Sequence, residues 1–224
     1  MDDLLPHVER ALGDREPPYF IAPLYGAAAA IAAIRRDPSQ SRLRDLVERQ
    51  AGTVAGGTIH LSIWRAWLLA RDGAVDEAFE QIEAVEAAPS KIARPLTEQL
   101  HASLFAESGR LDSARAFLER SRSYAAGAGV VALPIHLDRL EALVRMRQGD
   151  DGGLDQLRDA REGLDGLGAR WEVARTDLWL AEELGRRGVT DEARERLAQA
   201  ERVFDELRSV SELERARELE KELG

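Results

Sequence analysis

Three stretches of this 224-residue chain carry the same turn: RDGAVDEAFEQI from Arg71, ESGRLDSARAFL from Glu107 and RRGVTDEARERL from Arg186. Each reads glycine, two residues, aspartate, one residue, alanine. A glycine in this place ends one helix in a backbone conformation that a side chain resists. The aspartates Asp76, Asp112 and Asp191 are read as starting the next helix, accepting bonds from its free N–H groups and favouring the positive end of its dipole. The alanines Ala78, Ala114 and Ala193 let the second helix approach the first closely. A recurring helix–turn–helix of this kind restricts the chain to stacked helical hairpins. A further copy, RQGDDGGLDQL from Arg147, is degenerate, with Leu154 at the alanine position. The spacings from Gly73 to Gly109, Gly149 and Gly188 are 36, 40 and 39 residues in turn.

Between the turns the chain is dominated by strong helix formers, Ala, Leu, Glu and Arg, and only Val130-Val131 reads as strand. Ile92, Leu96, Leu100 and Leu104 make one apolar stripe, as do Leu178, Ala181 and Leu184. The breakers predict helices near 2–12, 18–36, 39–53, 57–72, 75–88, 91–108, 111–126, 131–148, 151–167, 170–187, 190–208 and 211–223. Connections of two to five residues set consecutive helices antiparallel and in contact. The expected fold is an all-α, right-handed superhelical solenoid of about five helix pairs, with a leading helix and a C-terminal capping helix. It forms one domain over 1–224: divergent helices over 1–56, recognisable repeats over 57–208 and the cap over 209–224.

Composition narrows the function. Forty-one acidic residues against thirty-one basic ones give a net charge of −10, against direct nucleic-acid binding, which needs a basic footprint. The absence of cysteine excludes disulfides and zinc–thiolate sites. The apolar run from Tyr19 to Ile34 is broken by Pro23 and Gly26 and falls short of the roughly 20 apolar residues of a membrane span. The start, MDDLLPHVE, is acidic where a signal peptide is basic, so a soluble, cytoplasmic protein is expected.

The repeat resembles the tetratricopeptide repeat. The last copy matches best, with Leu180, Ala181, Leu184, Gly188, Ala193, Leu197 and Ala200 at the motif positions. One earlier copy has Ala102, Phe105, Gly109, Ala114 and Leu118, with His101 where leucine is usual; another has Ala66, Leu69, Gly73, Ala78 and Ile82, with Arg65 there. The period near forty, and Ala169–Leu207 above all, are similar to the C-terminal repeats of large bacterial signalling ATPases and transcriptional activators. That likeness implies a segment of a bacterial signalling or transcription-regulatory protein.

Catalytic signatures are missing. No phosphate-binding glycine loop, nucleophile elbow or calcium loop is present, and His7, His60, His101 and His136 show no metal-ligand spacing. No enzyme activity, metal or cofactor is expected. In the resembling family the first helix of each pair lines a concave groove. Carried over, that face comprises His60, Ile63, Trp64, Trp67 and Arg71; Gln99, Leu100, Ser103 and Glu107; Arg139, Leu140, Leu143 and Arg147; and Arg175, Leu178, Trp179, Glu182 and Arg186. Trp64, Trp67, Arg71, Arg139, Leu143, Arg147, Arg175, Trp179 and Arg186 are the expected binding residues, since Trp and Arg dominate interaction hot spots. The tryptophans could equally fill space between helices, and the arginines could equally pair with neighbouring acids.

The expected function is a non-catalytic module that binds an acidic or amphipathic protein segment. The alternative is a small-molecule effector sensor, with Trp64, Trp67, Arg139 and Arg175 lining the pocket. If Arg139 and Arg175 are solvated, replacing both by Glu leaves the melting temperature nearly unchanged. The family's carboxylate clamp uses lysine and asparagine. This chain has no asparagine, and Lys91 and Lys221 fall off the groove. LLPHVERALG reads as the second helix of a hairpin. Its apolar face, Leu4, Leu5, Val8 and Leu12, suggests a longer solenoid or weak homodimerisation through a solenoid end.

Overall fold

Helix-forming runs separated by left-handed turns produce an all-α chain. The computed structural model describes residues 22–51, 58–86, 103–128 and 131–224. Among them all regular structure is helical: α1 (Ala22–Arg35), α2 (Gln40–Ala51), α3 (Thr58–Arg71), α4 (Val75–Glu86), a helical segment at 103–107, α5 (Leu111–Ala128), α6 (Ala132–Arg147), α7 (Gly152–Gly166), α8 (Arg170–Arg186), α9 (Thr190–Glu206) and α10 (Val210–Leu223). Where a helix end lies inside the described residues, the predicted bound falls within two residues of it. The expected leading helix, with Leu4, Leu5, Val8 and Leu12, lies outside the described residues. Among the described residues no helix is long and apolar enough to cross a membrane.

Turn chemistry explains the regular cuts. Gly188 has φ +74°, and after it the Val189 N–H donates to the Leu184 carbonyl at 2.9 Å, closing α8 through a left-handed residue. Gly109 does the same at φ +79°, with Arg110 N–H donating to the Phe105 carbonyl. Two more turns of this type carry no glycine. Arg36 (φ 50°) and Arg208 (φ 55°) hold the left-handed position, and Asp37 N–H and Ser209 N–H make the equivalent bonds to Ala32 and Phe204.

The aspartates sit one residue past the helix start, not at the expected cap. Helices α4, α5 and α9 begin at Val75, Leu111 and Thr190, one residue ahead of Asp76, Asp112 and Asp191. No side-chain cap bond closes the start of α9, whose N-cap is Val189. An acid one residue inside the helix still favours the dipole.

The close-approach alanines are buried as expected, Ala78, Ala114 and Ala193 all at 1% exposure or less. In the degenerate copy the small residue has moved one place. A Cβ on Gly153 would lie 2.9 Å from the Ala142 carbonyl oxygen and from the Met146 nitrogen. Gly153 therefore provides the close approach of α7 to α6, and Leu154 is free to join the core.

The helices fall into two compact units, Met1–Leu100 and His101–Gly224. In the first, α1 packs on α2 and α3, and α3 on α2 and α4. Alanines 28, 29 and 32 of α1 meet Leu43, Val47, Leu61 and Leu68. In the second, each helix from α5 to α10 packs on its chain neighbours, in a solenoid-like series of pairs, and α8 also touches α6 and α10. Ala174, Leu178, Ala181, Leu197, Ala200, Phe204 and Ala216 form its C-terminal core.

Candidate functional site: a polar cluster on alternate helices

Buried apolar stripes account for most of each helix, so buried charges single out a position. In the C-terminal unit buried Asp177 and Glu183 of α8 pair with Arg161, Arg196, Arg186 and Arg187, whereas buried Arg139 of α6 and Glu212 of α10 belong, with the partly open Glu107, Glu172 and Arg175, to one cluster on alternate helices: the 103–107 segment, α6, α8 and the start of α10. Arg139 of α6 is 2% exposed. Its guanidinium pairs with the Glu172 carboxylate of α8, donates to the Glu172 carbonyl at 3.3 Å, and stands 5.0 Å from the centre of the Trp179 ring.

Arg175, one turn beyond Glu172, lies over two rings, 4.7 Å from Trp171 and 5.3 Å from Trp179. It donates to Glu107 at 2.8 Å across 68 residues of sequence and lies 3.9 Å from Glu172. Ser103 donates to the same Glu107 oxygen at 2.7 Å. The network continues to α10, where Trp171 Nε1 donates to Ser209 Oγ, and Ser209 and Ser211 donate to the buried Glu212. Glu107 and Glu172 keep 32% and 25% of their side chains open, and Arg175 13%.

The electrostatics follow from this pairing. Burial pushes the Glu107 carboxyl up, but the Arg175 charge and the bonds from Ser103 and Arg175 outweigh it and hold it below the usual carboxylate range. Burial likewise opposes Glu172, and the Arg139 and Arg175 charges override it. Burial, reinforced by Arg139, pushes His136 below its ordinary value, so it stays neutral near pH 7. Two buried nitrogens in this cluster have no hydrogen-bond partner, His136 Nδ1 and Arg139 Nε.

The sequence-predicted contact residues divide by environment. Arg139, Leu143 and Trp179 are buried in the C-terminal unit. Arg175 is partly open, Arg147 is exposed, and Arg186 keeps 55% of its side chain in solvent beside Glu183. Of the two readings open for the arginines, pairing with neighbouring acids is the one found at Arg139 and Arg175, which lie against tryptophan rings and pair with Glu172 and Glu107.

In the N-terminal unit Trp67 belongs to the core, edge-on to Trp64 at 6.3 Å, and Arg71 lies 4.7 Å from the Trp67 ring centre. Trp64 packs against Gly26 of α1. Both tryptophans fill space between helices. Gln99 and Leu100 lie outside the described residues, as does the side chain of His60.

Sequence reasoning gave no role to Glu172, His136, Trp171 or Glu212 in this cluster. The only available signal was the spacing of Glu172 from Arg175 and of His136 from Arg139, three residues each on one helix. Arg65, which departs from the repeat pattern, is satisfied across helices: it donates to Glu48 of α2 at 2.5 Å and to Gln81 of α4. Among the described residues no group of three or more His, Asp or Glu could hold a metal ion. No protein-family model matches the chain, and no curated protein matches it significantly.

Proposed function

We propose that this chain is a non-catalytic binding module of the tetratricopeptide-like kind, and that it recognises a protein segment through the alternate-helix face of its C-terminal unit. One observation carries this reading: Glu107, Glu172 and Arg175, partly open, converge there from helices far apart in sequence. Replacing buried ion pairs by apolar residues is often neutral or stabilising, so stability alone gives little reason to keep charges there. Recognition does. Because both arginines already carry acids, the partner presents both signs of charge rather than an acidic stretch alone. The likeness of Ala169–Leu207 to repeats of signalling ATPases and transcriptional activators supports a regulatory setting.

A randomised peptide array tests the reading. Wild-type chain should select a motif, Glu107→Lys should lose it, and Asp159→Lys, on the exposed side of α7, should keep it. An array with no selected motif, or one whose motif survives Glu107→Lys, refutes the reading.

The unpartnered His136 Nδ1 and Arg139 Nε favour a second reading, a small polar effector. A metabolite at one hundred times its Kd would stabilise the fold by about 2.7 kcal/mol. At about 2–4 °C per kcal/mol, that raises the Tm by roughly 5–11 °C. A metabolite panel producing no such shift removes this alternative.

A further inference from the structure

The charges of the alternate-helix cluster are unequally open. Glu107 and Glu172 keep 32% and 25% of their side chains in solvent, whereas Arg175 keeps 13% and Arg139 3%. The arginines are covered because their guanidinium groups lie against the Trp171 and Trp179 rings, which favour a cation and shield it from water. The carboxylates have no such cover. Both hydrogen bonds to the Glu107 side chain, from Ser103 and Arg175, end on its Oε1. Both arginine contacts of the Glu172 carboxylate end on its Oε2. Glu107 Oε2 and Glu172 Oε1 therefore take no bond from any described residue.

These two carboxylates are also close together. One terminal nitrogen of Arg175 stands 2.8 Å from Glu107 Oε1, and the other stands 3.9 Å from Glu172 Oε2. The two nitrogens of a planar guanidinium are about 2.3 Å apart, so the two oxygens are separated by at most about 9 Å. A single partner segment can meet both. The arginine charges keep both carboxyls ionised near neutral pH. Arg215 of α10, whose charge also acts on Glu107, is itself paired with Glu182 at 3.1 Å.

We propose that the partner segment presents a lysine or arginine to Glu107 and Glu172, so that the anchor of recognition on this face is basic. This rests on the reading of the face as a protein-binding surface, and it names the sign of charge that docks there. An incoming ammonium or guanidinium takes the unbonded oxygens and leaves the bonds to Arg139 and Arg175 in place. An incoming carboxylate instead approaches two open carboxylates of its own sign. The chain as a whole carries −10, which draws a cation toward it and slows an anion.

An array of randomised peptides, acetylated and amidated so that only side chains carry charge, reads the sign directly. Wild-type chain should select a motif containing Lys or Arg. A motif whose charged positions are Asp or Glu, or that has none, overturns the proposal and leaves the binding module standing. An array with no selected motif removes both. By fluorescence anisotropy the selected peptide should bind Glu107→Gln and Glu172→Gln roughly 5-fold more weakly each, the equivalent of one ion pair. Asp159→Asn, which removes the same charge from the exposed side of α7, should stay within about 2-fold of wild type, since salt screens a charge beyond about 10 Å. Equal weakening in all three, or in none, overturns the proposal. Should the glutamate variants fail to fold, the wild-type chain decides. Carbodiimide joins a peptide lysine to a carboxylate it touches, and mass spectrometry should place that link on Glu107 or Glu172. A link confined to other residues rejects the basic anchor.

Discussion

Replacing Arg139 by methionine isolates the cost of a stranded buried charge. Methionine keeps much of the length and the apolar stem against Trp179, so the change removes mainly the guanidinium. Glu172 then loses its closest cation. Breaking a buried pair by removing one partner typically costs about 3–5 kcal/mol. Two observations reduce that here: Glu172 is one-quarter open to water, and Arg175 stands 3.9 Å away. A loss of about 2–3 kcal/mol is expected, or roughly 4–12 °C in Tm at about 2–4 °C per kcal/mol. In the double variant Arg139→Met/Glu172→Gln the abandoned charge is gone, so at least half the loss should return.

Arg186→Met serves as the surface comparison. Its side chain is more than half exposed, and its pair with Glu183 is worth under about 0.5 kcal/mol. Thermal melts followed by circular dichroism at 222 nm read all three. If Arg139→Met melts within 1–2 °C of wild type (roughly half a kcal/mol), burial of the charge is refuted. If the losses in the double variant simply add, the two residues are not coupled. The same geometry reverses the expectation for Arg139→Glu/Arg175→Glu. Placing two acids beside Glu172 and Glu107 should unfold the C-terminal unit rather than leave it intact.

Gly26→Ala places a methyl inside the Trp64 ring, so it should cost about 1–3 kcal/mol and shift the tryptophan fluorescence. An unchanged spectrum and melt would mean that α1 does not pack there. Gly153→Ala should cost a similar amount, because the new carbon meets backbone of α6, whereas Gly166→Ala, with nothing within 4 Å, should gain up to about 0.5 kcal/mol. Equal melts for these two variants would disprove the close approach at Gly153. Acid should act in two stages. His136, depressed when folded, contributes stability that is complete above its unfolded value near 6.5 and is lost as pH falls through its folded value. Glu107 and Glu172 contribute stability present above about 4.5 and lost below it. In a Tm titration His136→Gln should abolish the upper stage alone, and a curve identical to wild type excludes His136 as its source.

Helix order and placement were legible from the sequence because they depend on neighbours a few residues away. The hairpins at Gly73, Gly109, Gly149 and Gly188 needed only a residue tolerant of positive φ and an apolar stripe on either side. The turns at Arg36 and Arg208 were placed from the flanking periodicity, though neither sequence carries the glycine that would have named their type. Leu154 marked a broken repeat, but not that Gly153 had taken over its contact. That is a distance between two helices, which only their packing determines.

The candidate site depended on tertiary structure more strongly still. Arg139 and Arg147 lie eight residues apart on the same stripe of α6, and periodicity gives them one face. Arg139 is buried because Glu172 and Trp179 of α8 stand at its height, while Arg147, at the end of α6, is exposed. A separation of 68 positions leaves no local signal of the Glu107–Arg175 bond. Helical periodicity sets which residues share a side of one helix, but charge pairing depends on what the next helix brings opposite, and that is decided only when the stack closes.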